Sequence, residues 1–152
     1  MSSLSDLYAA VKGDVIALAD PLLEESQKQL ALRDDVRPQA AVLSSEGRVL
    51  VLGAMTGTQG GAATAEQVLA MLQAGIRQMS RERVLSAIAI SQLVFVTRAN
   101  EPVQAIRVLV EHERGLTVAM NLPFWKIDGE YSYGEAFVTP AAPALKLWPP
   151  VP

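Results

Sequence analysis

The stretch Val103–Phe124, VQAIRVLVEHERGLTVAMNLPF, decides the fold. Its first half sets Ile106, Val108 and Val110 against Arg107, Glu111 and Glu113. Its second half sets Leu116, Val118, Met120, Leu122 and Phe124 against Thr117, Ala119 and Asn121. Successive side chains of a strand point to opposite faces. Two such runs joined at Glu113-Arg114-Gly115 therefore predict an antiparallel hairpin with one buried face and one wetter face. An oily sheet face needs a cover, and the rest of the chain offers two amphipathic helical stretches to supply it.

Upstream, Ser3 or Ser5 can cap a first helix whose apolar stripe is Leu4, Leu7, Tyr8, Val11, Val15, Leu18 and Leu22. Proline has no N–H and crowds the preceding turn, so Asp20-Pro21 predicts a kink or a restart. The pattern fades by Leu32, and Arg33–Pro38 is a polar connection. Ala40–Ser44 and Arg48–Met55 follow as two strands around the turn Ser45-Glu46-Gly47; both are almost wholly apolar, which suits strands covered on both sides. Gly53 marks a bulge or a close backbone approach. Thr64 and Gln67 have the spacing of a capping box, and the helix they open should run to about Arg81. Its expected buried face is Val68, Leu69, Met71, Leu72, Ile76 and Met79. Val84–Val96 is a third strand that can bend at Ser91-Gln92.

Downstream of the hairpin, Asp128-Gly129 is a strong turn signal and Glu130–Val138 reads as a last strand. The end of the chain, TPAAPALKLWPPVP, holds five prolines in fourteen residues and should run extended over the surface. The expected fold is thus α+β: an antiparallel sheet of about five to six strands covered by two main helices, in the order α-β-β-α-β-β-β-β. Residues 1–138 form a single domain and 139–152 a Pro-rich extended tail. This order of elements is similar to that of profilin-like and roadblock-like domains, a likeness of shape that carries no activity with it.

Composition excludes several classes of function. The 152 residues include no cysteine, which removes disulfide scaffolds, thiol catalysis and cysteine-held zinc or iron–sulfur sites. A single histidine, His112, removes sites built on several imidazoles. The net charge is −3 and the 13 basic residues are scattered, so no nucleic-acid partner is expected. Arg77, Arg81 and Arg83 sit where cations complement a helix C-terminus. The start, MSSLSDLYAAVKGDV, lacks the basic and apolar regions of a signal peptide, and the longest strongly apolar uncharged run, Val84–Thr97, has 14 residues where a helical span needs about 20. No membrane partner and a cytoplasmic location are expected. Charged residues make up 19% of the chain, against roughly 25% in ordinary soluble domains, which points to apolar surface covered by a second copy in a homodimer.

No motif specifies chemistry. The glycines at 57, 60 and 61 follow a strand and precede a capped helix, yet match neither the phosphate-loop nor the dinucleotide spacing. His112 is expected as a solvated strand-end side chain; as a general base it would need a carboxylate from a neighbouring strand. Glu111 and Glu113 fall on the opposite face from it, so Glu111-His112-Glu113 is no metal-ligand cluster. Arg107, Glu111, Glu113, Tyr131, Tyr133 and Glu135 would share a binding face if their strands align. Phe124, Trp125 and Trp148 are the aromatic candidates, with Trp148 carried by a tail that must dock on its own chain or on a neighbour. No catalytic residue, metal or cofactor is predicted. The reading is a non-catalytic adaptor, chaperone or regulatory module, a homodimer that binds itself and another protein. The alternative is a small-ligand sensor or enzyme with a pocket between helices and sheet, lined by His112, Tyr131, Tyr133 and Glu135 with the amides near Gly60-Gly61.

Overall fold

Helix α1, Leu4–Arg33, begins at a capping box in which the Ser3 hydroxyl accepts the Asp6 N–H and the Asp6 carboxylate accepts the Ser3 N–H. In the computed structural model, which describes residues 3–52 and 64–150, it neither breaks nor restarts at Pro21. Pro21 cannot donate to the carbonyl of Ala17, but Ala17 lies on the exposed side, where water can take that bond. Val15, Leu18, Ala19, Leu22 and Leu23 are all buried across the proline and hold the helix to the sheet.

Strands β1 (Gln39–Ser44) and β2 (Val49–Leu52) form a hairpin, and α2 (Ala65–Glu82) starts at the expected Thr64–Gln67 capping box. Strands β3 (Leu85–Arg98), β4 (Glu101–His112), β5 (Thr117–Ile127), β6 (Glu130–Tyr133) and β7 (Phe137–Pro140) complete an antiparallel sheet. Its order is β2-β1-β3-β4-β5, with β6 and β7 both on the outer edge of β5. The fold is α+β with the expected element order and seven strands. The central hairpin turns at Gly115 (φ 87) and pairs Val110 with Val118, Val108 with Met120 and Ile106 with Leu122.

The expected last strand is two. Pairings Tyr133–Phe124 and Phe137–Asn121 leave Gly134, Glu135 and Ala136 opposite only Leu122 and Pro123, a bulge. The Pro123 carbonyl accepts the Gly134 N–H, so the edge where Pro123 has no N–H to offer is the one that bulges. The edge then re-pairs as β7, which takes the end of the expected last strand, Phe137 and Val138, and the first two residues of the expected tail, Thr139 and Pro140.

Helices cover opposite faces of the sheet. On one face α1 packs on Ala41, Leu43, Ala87, Ala89, Ile106, Val108, Val110, Val118, Leu122 and Phe124. On the other, α2 and Leu145 pack on Ala40, Val42, Leu85, Ile88 and Ile90. The expectation of one oily and one wet face is therefore corrected: Glu111, Ala119 and Asn121 lie opposite the α1 side and are buried too. Three smaller expectations also change. Leu4, the first residue of α1, and Met71, which lies off the buried Val68-Leu72-Ile76 stripe of α2, are exposed, and edge strand β2 is only half-buried. The strand β3 pairs with β4 in unbroken register through Ser91-Gln92. Gly53 and the glycines at 57, 60 and 61 lie outside the described residues.

Candidate functional site

The best-built polar site belongs to a residue that sequence periodicity placed on the wet face. Glu111, on β4, is 2% exposed. Its carboxylate accepts three successive main-chain N–H groups of the tail: Ala144 at 3.0 Å, Leu145 at 2.8 Å and Lys146 at 2.9 Å. A buried charge needs such donors, and consecutive amides curled around one anion supply them without a cation. The curl leaves Lys146 in the left-handed region (φ 56). Between those amides Leu145 is driven into the core beneath α2, 1% exposed, while Nη1 of Arg77 donates to its carbonyl at 3.0 Å. Leu147 and Trp148 pack half-buried beside it. The tail thus docks on its own chain, and Arg77, read from sequence as a helix-end cation, is one of its anchors.

His112 is not solvated. It is 5% exposed and faces α1, where its Nε2 lies 2.8 Å from Oδ2 of Asp14. Nδ1 accepts the Arg114 N–H at 3.1 Å. An accepting Nδ1 fixes the neutral tautomer with the proton on Nε2, donated to Asp14. Both ring nitrogens are thus engaged, and the carboxylate partner comes from a helix rather than a neighbouring strand. No free lone pair is left for general-base work.

The supposed common face of charges and tyrosines does not form. Register places Arg107 beside Asn121 and Phe137, whereas Tyr133 lies beside Phe124 on the α1 side. Phe124 is buried and meets Tyr131 edge-on, with ring centroids 5.8 Å apart, and Tyr133 at 6.3 Å. These three rings close the α1-side core. Burial pushes the Tyr133 hydroxyl up from its ordinary range. Tyr131 reaches Asp34, the left-handed residue that ends α1, at 2.8 Å, and Lys126 meets the same oxygen at 2.8 Å. The two hydrogen bonds hold the Asp34 carboxyl below its usual range and, in return, raise Lys126 and Tyr131. A shallow groove of ≈ 570 Å³ beside this trio is lined by Glu24, Lys28, Tyr131 and Tyr133.

Glu135 is exposed on the bulge. Trp125, 43% exposed, lies over Gly134; a methyl group there would come within 3.0 Å of its ring. Trp148 is part of the tail anchor. His112 and Tyr131 sit near opposite ends of β5, through Leu116 and Lys126, so the polar groups proposed to line one pocket do not converge. A separate apolar cavity of ≈ 380 Å³ lies between the start of α1 and the tail, lined by Tyr8, Leu116, Val118, Val138, Pro140 and Pro143. Among the described residues no group of three or more His, Asp or Glu side chains is placed to hold a metal ion, and no helix is long and apolar enough to cross a membrane.

Comparison with protein-family models, with curated proteins and with solved structures finds no match. The likeness to profilin-like and roadblock-like domains stays one of element order. Arg77 and Asp14 are the site residues that periodicity missed, and Glu111, named for an open binding face, is instead buried on the tail. The only hint was that Leu145 and Trp148 need a berth and the tail has no fold of its own.

Proposed function

We propose that this protein is a non-catalytic interaction module that works as a homodimer through the part of its sheet α2 leaves uncovered. The observation that carries the reading is Arg107. Its Nε is sequestered from solvent yet has no hydrogen-bond partner, at the middle of a sheet face flanked by Gln92 and Asn121. On the same face Val94, Val96, Leu109 and Phe137 are only half-buried, and α2 packs over β1 and the start of β3 instead. A half-buried arginine beside apolar side chains is the composition of an interface centre, where a turn of the side chain on docking would bring the orphaned donor to a partner's carbonyl or carboxylate. The low share of charged residues supports the same reading.

Light scattering behind size exclusion tests it. The full chain should run as a dimer at micromolar concentration, and Leu109→Asp should run as a folded monomer, because that side chain faces outward. A wild-type monomer at every accessible concentration sinks the reading. A cytoplasmic location belongs to the same proposal, and cell fractionation checks it.

A second reading has one observation in its favour, the apolar cavity beside Tyr8, whose volume and lining suit a small neutral ligand. It would make the protein a ligand sensor, and a thermal-shift screen that raises Tm for an apolar compound, lost in a Val138→Trp variant, is its test.

A further inference from the structure

We propose that Glu111, Arg77 and the hole filled by Leu145 form a receptor for a polypeptide segment, closed here by the chain's own tail and able to take the tail of a second copy. Three features separate this arrangement from ordinary tail packing. The recognition is of main chain: one buried carboxylate takes three consecutive N–H groups and one guanidinium takes the carbonyl between them. It has one side-chain specificity pocket, which encloses Leu145 almost completely. And the curl that brings the third N–H to Glu111 sets Lys146 in the left-handed region, a backbone unfavourable for an L residue that the buried hydrogen bonds offset here.

Short hinges favour exchange of identical segments between copies. The link from β7 to the anchor is Ala141-Ala142-Pro143, and the hydrogen bond seen for it runs from the Ala141 N–H to the Thr117 carbonyl. Every anchor contact involves residues beyond that link. Each would therefore be remade unchanged with a second copy, and only local concentration favours the tail's own chain. This deepens the homodimer reading by naming a second contact between copies, and it stands or falls separately from the open sheet face.

Complementation between two full-length variants tests it. Glu111→Gln spoils the receptor and keeps a good tail; Leu145→Asp spoils the tail and keeps a good receptor. Neither can close its own site, but a mixture can, with the tail of the first in the receptor of the second. The tail carries its own reporter, since trypsin cuts after Lys146 only when the segment is released from Glu111. Isotope labelling of the Glu111→Gln chain lets mass spectrometry follow its cleavage alone. Proteolysis follows the population of the open form, so mixing should slow that cleavage by roughly tenfold and yield a species of two chains. Cleavage at the same rate in the mixture as alone, with both chains folded by circular dichroism, overturns the proposal. Should Leu145→Asp fail to fold, Leu145→Ala takes its place with the same readings. Adding Leu109→Asp to both chains should leave the protection intact; its loss would assign the contact to the sheet face and also overturn the proposal.

Discussion

At His112 the decisive fact is what its neighbours donate and accept. A ring whose Nδ1 is taken by an amide and whose Nε2–H is given to Asp14 is a buried brace between β4 and α1. Asp14→Ala leaves a buried donor without a partner and should cost about 1–3 kcal/mol in urea unfolding, while Asp14→Asn, which still accepts, should retain most of it. Equal losses for the two would contradict the tautomer. Asp34 offers a test by titration. Its carboxyl is held low, so its contribution is present above the ordinary carboxylate range and is lost as pH falls through the lowered value. Lys126 and Tyr131 are held high, so theirs is present at neutral pH and lost as pH rises through their raised values. Asp34→Asn should move the Tyr131 phenol, followed by its ultraviolet absorbance, down toward an ordinary tyrosine. An unmoved titration would rule out that hydrogen bond.

Among the elements, α1 shows packing overriding local preference. A proline in a helix interior is about 3 kcal/mol worse than alanine, yet five buried side chains around Pro21 keep thirty residues continuous. Pro21→Ala should therefore raise stability, by about 2 kcal/mol after allowance for the less restricted unfolded chain, read as a higher Tm. A lower Tm would mean that the proline shapes a bend the sheet needs. The edge of β5 shows the converse, where local chemistry decides: Pro123 lacks the donor a straight ladder requires, and Gly134 leaves the space that the Trp125 ring and Pro123 occupy. The elements themselves were legible because period-two and helical spacing are local signals. The Ser3 and Thr64 caps, the Asp128-Gly129 turn and the central hairpin all follow from residues close in sequence.

For the molecule as a whole, the tail changes the accounting of the α2-side core. Leu145 fills a position in the α2-side core that no described residue within the first 138 supplies, so Leu145→Ala should lower global unfolding free energy by about 2–5 kcal/mol, as a core deletion does. A loss within a few tenths of that of an exposed substitution such as Leu32→Ala would show that the tail lies on a body complete without it. The candidate site was much less legible than the fold. Glu111 and His112 are adjacent in sequence, and alternation told correctly that they face opposite sides; it could not tell that both sides are covered.

The chain by itself determined its two helices, its first five strands, its main turns and their order, because each depends on spacing and capping within about a dozen residues; the split of the last strand and the continuity of α1 through Pro21 it did not. Only the tertiary structure decided which helix covers which face, that a proline-rich tail supplies three amides to a carboxylate thirty-three to thirty-five residues away, and that a helix side chain claims the one histidine. Those outcomes turn on burial and on partners distant in sequence. A polar residue that alternation assigns to water lies instead in the core whenever a remote segment brings the hydrogen bonds that make its burial favourable.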